Sequence, residues 1–132
     1  MDDSNRREQG MKVRRAVLGD AHVDRALAKR TEFNGDFQDF ITRYAWGEVW
    51  SRPGLPRHAR SLVTLALMVA LNRGDEFKMH VRAAFNNGVT RDEIKELLLH
   101  TALYAGLPAA NAAYHLAEEV IGQMEHGAND QS

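Results

Sequence analysis

The chain has 132 residues, the length of one domain, and its charges nearly balance, with 17 Lys and Arg against 18 Asp and Glu. A chain of this length buries about two-thirds of its unfolded surface, so a core can form without covalent staples. There is no cysteine, which excludes disulfides and thiol chemistry and fits a reducing compartment. The net charge of −1 offers nucleic acid no basic field, so we expect no nucleic-acid partner.

No segment has the composition of a membrane span. The longest apolar run, Leu62–Leu71, contains Thr64 and is too short to cross a bilayer. The chain starts with Asp2 and Asp3 and shows no apolar export segment. We therefore expect a cytoplasmic protein without a membrane partner.

The two ends of the chain are polar. Residues 1–10 and 127–132 are charged or rich in amides, and we expect them to be frayed tails. No internal repeat or linker interrupts the rest. The sequence thus predicts a single domain over residues 1–132.

Two short helices are predicted in the first third. Asp20 can cap a helix that ends near Arg30, and Gly35 precedes a second helix over residues 36–46. The passage from residue 43 to residue 60, "RYAWGEVWSRPGLPRHAR", follows neither helical nor strand periodicity. It crowds two tryptophans and four arginines into one irregular segment.

The middle of the chain predicts two further helices. Pro56 suits the first turn of a third helix that ends near Asn72 and contains "LVTLALMVAL". That helix is apolar on all sides, which predicts that every side is covered. A fourth helix over residues 75–87 is ended by Gly88, which accepts a left-handed cap.

Two helices complete the chain. "TRDE" is a capping box in which Thr90 and Glu93 satisfy each other's backbone amides, and the fifth helix then runs to about Tyr104. Gly106 ends it, and Pro108 opens an alanine-rich sixth helix. Since no segment resembles a strand, we predict an all-α bundle of about six helices. Five modest helices cannot cover the apolar third one, so we also expect a homo-oligomer.

His80 is the most informative titratable residue. On a helix it shares a face with Phe77 and Ala84, and Glu76 lies one turn before it. An imidazole on an apolar stripe beside an acid is typical of a tuned general acid or base. A core histidine bonded to a backbone carbonyl fits the same spacing equally well.

The other polar residues give weaker signals. His100 lies between Leu97 and Tyr104 on an expected inward face, which favours a core or interface role. Glu76 and His80 alone are too few for a zinc site, so no metal is expected. The chain has neither a glycine-rich phosphate loop nor a nucleophile elbow.

Three arginines are candidate anchors. Arg52 lies in the irregular segment, Arg60 lies one turn into the third helix, and Arg73 follows that helix. Half-buried arginines usually pair with carboxylates of the protein, and Glu48 and Glu76 are available. The alternative is that one arginine binds an anionic substrate through its two-pronged donors.

The strings "YAWGEVWSRPGL", "RSLVTLALMVALNR" and "EFKMHVRAAFNNGVTRDEIKELLLHTALYAGLPAA" together resemble the gamma-carboxymuconolactone (4-carboxymuconolactone) decarboxylase family. The resemblance covers residues 37–114. The related alkylhydroperoxidase-type proteins carry a C-x2-C pair before the histidine, where this chain has Arg73 and Glu76. Their relay glutamate falls on Ser61. Thiol peroxidase chemistry is therefore excluded.

The resemblance implies a fold of the alkylhydroperoxidase type, commonly assembled as a hexameric ring of intertwined subunits. It also implies a reaction, the conversion of 4-carboxymuconolactone to 3-oxoadipate enol-lactone and CO₂ in the protocatechuate branch of the β-ketoadipate pathway. No cofactor is expected, because the lactone carries its own electron sink. Such an enzyme must bind a flat dianionic ring, stabilise an oxyanion and deliver one proton.

On that resemblance, the irregular segment would wall the substrate pocket. Trp46 and Trp50 would supply apolar surface, and Arg52 and Arg60 would anchor carboxylates. Glu48 would orient one of these arginines or the catalytic histidine. Sealing a subunit interface is an equally good explanation for Trp50.

The remaining roles follow from the same resemblance. His80 would return the proton, with Glu76 favouring its imidazolium form. Arg73 and Tyr104 complete the expected substrate-binding set, and Tyr104 or Glu48 is the next candidate for the proton donor. Two alternatives stay open, a non-catalytic helical oligomer of this scaffold and a decarboxylase or isomerase of a related lactone.

Overall fold

The computed structural model describes residues 2–130, with the side chains described through Gly127. Within that range the chain forms seven α-helices and one π-helix, and no strand, which confirms the all-α prediction. None of these helices is both long enough and apolar enough to cross a membrane. The elements are α1 (Asp3–Leu18), α2 (Asp20–Ala28), α3 (Gly35–Phe40), the π-helix (Ile41–Val49), α4 (Arg57–Ala70), α5 (Gly74–Asn86), α6 (Arg91–Ala105) and α7 (Leu107–Asp130).

The chain divides into two compact units. The first ends at Arg60 and the second begins at Ser61. Whether both fold together as the single expected domain stays a prediction.

In the first unit, α1 replaces most of the tail that the sequence predicted for residues 1–10. The Asp2 side chain accepts a hydrogen bond of 2.8 Å from the Asn5 backbone N–H and so caps the helix. The polar composition of this helix concealed it, since only one narrow face is buried against the π-helix. Residues 3–10 are therefore helical. At the other end, α7 continues through residue 130, so the tail predicted for residues 127–132 was wrong up to that residue, and residues 131 and 132 lie outside the described range.

Two glycines bring α1 and the π-helix into backbone contact. A Cβ added at Gly10 would lie 2.9 Å from the Thr42 carbonyl carbon and closer still to its oxygen. A Cβ added at Gly47 would lie 2.9 Å from Arg6 Cγ and closer still to the Arg6 carbonyl oxygen. Both positions are buried and exclude any side chain. This close approach fixes which residues of the two helices face each other.

The π-helix corrects the sequence prediction for residues 36–60. The predicted helix over residues 36–46 is divided into α3 and the π-helix, and the π-helix extends through Val49. The Trp50 N–H continues the wide turn, donating to the Ala45 carbonyl at 2.9 Å. A π-helix matches neither the α-helical nor the strand period, so the spacing of apolar residues did not predict it. Only the residues from Trp50 to Pro56 are irregular.

The second unit has the main apolar core. Helices α4–α6 begin and end within two residues of their predicted bounds, and both bonds of the predicted Thr90–Glu93 capping box are present at 2.9 and 3.1 Å. As expected, the other helices of one chain do not cover α4 on every side, because Val63 and Leu67 on its outer face, and Leu71 just after it, are about half exposed. The inner faces of α4–α7 form the core with Leu65, Val69, Phe77, Val81, Ile94, Leu98, Ala113, Ala117 and Val120.

Candidate functional site

Four charged residues of the first unit form what we call the arginine cluster: Arg6, Glu48, Arg52 and Arg60. Glu48 lies near the end of the π-helix, and its Oε2 accepts a hydrogen bond of 3.2 Å from Arg6 Nε. Its other oxygen, Oε1, lies 3.8 Å from Arg52 Nη1. Arg60 donates from Nη2 to the Arg52 carbonyl oxygen at 3.2 Å. Of the two carboxylates that the sequence offered as partners for these arginines, Glu48 is thus the one that lies beside Arg52.

Arg6 is the member of the arginine cluster that sequence reasoning missed. It lies on α1, where the sequence predicted a tail, and 42 positions separate it from Glu48. Desolvation lowers the pKa of Arg6, but the hydrogen bond and charge of Glu48 outweigh it and leave that pKa raised. The Arg6 guanidinium also lies 5.3 Å from the centre of the Tyr44 ring. No local pattern in the sequence could have indicated these contacts.

The two tryptophans predicted to wall a pocket are in contact with each other. Their ring centroids lie 5.1 Å apart, with an angle of 33° between the planes. Trp46 is only 5% exposed, whereas Trp50 is partly exposed. Trp46 therefore supports Trp50 from the core, and Trp50 is the tryptophan that presents apolar surface.

In the second unit, His80 lies on α5 in a half-buried position. Phe77 and Ala84, which share its helical face, are fully buried, so the predicted inward face of this helix is confirmed. Glu76 is exposed in the first turn of the same helix, and Arg73 is exposed just before it. The local arrangement thus places an imidazole between a dry helix face and water.

Tyr104 and His100 are both exposed, and their ring centroids lie 5.1 Å apart with the planes tilted by 41°. A core position for His100 was therefore wrong within this chain, while a place in a subunit interface stays a prediction. His100 borders an open groove of about 670 Å³ between α4 and α6. Three carboxylates on the rim of the groove would repel a dianion: Asp92, Glu93 and Glu96.

The arginine cluster and the groove beside His100 differ in their charge. The arginine cluster brings three guanidinium groups together with Glu48 and with Asp3, which lies 2.7 Å from Arg6 Nη1. It therefore retains a net positive charge and offers planar donors that match carboxylates. Among the residues described, no group of three or more His, Asp or Glu side chains is arranged to hold a metal ion.

The sequence model of the carboxymuconolactone decarboxylase family matches residues 35–119. The chain belongs to the carboxymuconolactone decarboxylase family. The recognised resemblance is thus confirmed, and the matched segment contains every site residue predicted from the sequence. Arg6 lies outside the segment that defines the family.

Individual relatives of the family extend the similarity over nearly the whole chain. A 4-carboxymuconolactone decarboxylase of Acinetobacter baylyi is 66% identical over 124 residues, covering 94% of this chain and 92% of the relative. The nitrosuccinic acid decarboxylase npaB of Metarhizium robertsii is 44% identical over 125 residues, covering 93% and 87%. A 4-carboxymuconolactone decarboxylase sequence from Pseudomonas putida is 62% identical over 48 residues, covering 36% of this chain and all of that sequence.

Proposed function

We propose that this chain decarboxylates 4-carboxymuconolactone to 3-oxoadipate enol-lactone and CO₂, in the protocatechuate branch of the β-ketoadipate pathway and without a cofactor. The observation that carries the proposal is the 66% identity to the Acinetobacter decarboxylase over nearly the full length of both chains. The positive arginine cluster supports it, since the substrate carries two carboxylates.

The electronic structure of the substrate explains how the reaction proceeds. The departing carboxylate is attached to the lactone ring carbon that bears the ring oxygen. When that carbon–carbon bond breaks, its electron pair moves through the ring double bond onto the lactone carbonyl oxygen, and CO₂ leaves. The resulting oxyanion resembles a furan, and protonation at the carbon next to the carbonyl gives the enol-lactone. The protein contributes binding, oxyanion stabilisation and one proton.

Two arginines and two tryptophans have binding roles in this proposal. Arg52 and Arg60 hold the carboxylates of the substrate, because guanidinium groups bind carboxylates through paired donors. Glu48 orients Arg52, from which it lies 3.8 Å. Trp50, supported by Trp46, provides apolar surface that favours loss of charge from the departing carboxylate.

The proton donor in this proposal is His80. His80 protonates the ring carbon, and its half-buried position on α5 limits competition from water. Glu76, one turn earlier, favours the imidazolium form. Arg73 and Tyr104 contribute further substrate contacts, and Tyr104 is the next candidate for the proton donor.

The assembly is a separate part of the proposal. We infer an alkylhydroperoxidase-like homo-oligomer, a hexamer by resemblance, with intertwined subunits. The half-exposed outer face of α4 supports it, as do Leu103 and Leu107, each 75% exposed. The cytoplasmic location expected from the sequence stays a prediction, which cell fractionation would test.

The decisive experiment is a turnover assay. We expect the purified protein to consume enzymatically generated 4-carboxymuconolactone, followed by the loss of its ultraviolet absorbance, before and after exhaustive treatment with EDTA. Absence of turnover would favour the non-catalytic alternative. Activity that EDTA abolishes and a divalent metal restores would contradict the mechanism.

The fungal relative supports a second candidate substrate. Nitrosuccinate also has two carboxylates and an internal electron sink, since loss of the carboxylate beside the nitro group leaves a nitronate that a proton then quenches. The 44% identity over 93% of the chain favours testing it. We expect kcat/KM to be higher for the lactone, and the opposite order would exchange the two assignments.

A further inference from the structure

Glu48 divides its two carboxylate oxygens between two arginines of the first unit. Oε2 accepts the hydrogen bond from Arg6 Nε at 3.2 Å, while Oε1 lies 3.8 Å from Arg52 Nη1. The contact with Arg6 is a hydrogen bond, whereas the contact with Arg52 is a looser ion pair between residues four positions apart. Arg52 is therefore only weakly engaged, and 63% of its side chain is exposed.

Arg6 is held much more firmly than Arg52. Its Nη1 donates to Asp3 Oδ1 at 2.7 Å, and its guanidinium lies over the Tyr44 ring. Its backbone is fixed where α1 touches Gly47, the residue before Glu48. Only 19% of its side chain is exposed. Arg6 thus approaches Glu48 from a rigid element.

We propose that Arg6 is a positioning residue that keeps Arg52 available for a substrate carboxylate. Pairs of arginine and carboxylate are frequently two-pronged, and Arg52 lies only four positions after Glu48. By occupying Oε2, Arg6 prevents Glu48 from closing on Arg52 with both oxygens. The substrate in this proposal rests on the proposed decarboxylase function, but the contacts of Glu48 with Arg6 and Arg52 do not depend on that function.

The proposal predicts which kinetic constant changes when Arg6 is lost. Arg6→Gln frees Oε2, so that Glu48 competes with the substrate for Arg52. Because the pair is exposed, the expected rise in KM is about three- to fivefold, which corresponds to roughly 0.7–1 kcal/mol. The value of kcat changes less than about twofold, because Arg6 does not touch the reacting atoms.

The test is a double-mutant cycle on the full-length protein with 4-carboxymuconolactone. Arg6→Gln and Arg6→Lys are each made alone and together with Glu48→Gln. We expect the Arg6→Gln rise in KM to disappear in the Glu48→Gln background, and Arg6→Lys to restore part of the wild-type KM. Arg7→Gln is the matched control, since Arg7 lies on the same helix and pairs at 3.3 Å with Asp39 instead. Its KM should equal that of the wild type.

Several results would overturn the proposal. An unchanged KM in folded Arg6→Gln would do so, and so would a rise that persists in the Glu48→Gln background. If Arg6→Gln does not fold, Arg6→Lys carries the same cycle and the same criteria. The same double-mutant cycle can be measured without turnover, by calorimetry of the binding of maleate, a dicarboxylate that cannot react. Maleate binding that follows the expected pattern in a protein inactive on the lactone would refute the proposed function and leave the role of Arg6 intact.

Discussion

The contact between α1 and the π-helix can be tested by adding one methyl group. In Gly10→Ala the new Cβ would lie 2.9 Å from the Thr42 carbonyl carbon and 3.0 Å from the Gly47 amide nitrogen, with the Thr42 oxygen nearer still. These are all backbone atoms, so no side-chain rotation can relieve the overlap. We expect α1 to be displaced from the π-helix, which also separates Arg6 from Glu48.

The expected change in the free energy of unfolding combines two opposing contributions. Overpacking of this kind costs about 3 kcal/mol when rigid atoms meet. The higher helix propensity of alanine returns about 1 kcal/mol. The free energy of unfolding should therefore fall by about 2 kcal/mol, and the melting temperature by roughly 8 °C.

Urea unfolding followed by circular dichroism, at one protein concentration, measures this difference. The matched control is Gly122→Ala on α7, where an added Cβ meets nothing within 4 Å. That variant should be more stable than the wild type by up to about 1 kcal/mol. If Gly10→Ala were as stable as the wild type while the control behaved as expected, α1 would not pack on the π-helix in the way described.

Four further predictions address catalysis, electrostatics and assembly. His80→Gln should lower kcat by about 10²–10⁴-fold in a folded protein, and a loss below about fivefold would leave the histidine a structural role. Arg60→Lys should cost about 1–3 kcal/mol in kcat/KM through loss of a two-pronged contact, whereas Arg57→Lys, an exposed position on the same helix, should match the wild type. The hydrogen bonds from Arg30 lower the pKa of the Asp39 carboxyl in the folded state. This pair therefore stabilises the fold above about pH 4, and its contribution is lost as the pH falls through the lowered folded pKa. Arg30→Gln should lower the free energy of unfolding more at pH 7 than at pH 2, and an equal loss at both pH values would contradict the assignment. Sedimentation at micromolar concentration should give an assembly of several chains, and a stable single-chain species would refute the inferred oligomer.

Local sequence patterns were sufficient to predict a helix where its caps and apolar positions lie within the helix itself. The Thr90–Glu93 capping box and the apolar pattern of α4 predicted helices that the structure confirms, because capping and periodicity act within a few residues. The ion pair between Glu48 and Arg52 is local as well, since four positions separate the two residues, but the sequence left open which arginine Glu48 would meet.

In the first unit, only the tertiary structure decided α1 and the π-helix. Residues 3–10 look like a polar tail because just one narrow face of α1 is buried, and the π-helix obeys no period that a sequence search tests. The contact of Arg6 with Glu48 requires that Gly10 and Gly47 bring two backbones together, a condition that arises only once both helices exist. The sequence by itself thus determined the helical class, the family and most of the helix bounds. Packing alone determined that Arg6 meets Glu48, because that contact joins residues 42 positions apart in the chain.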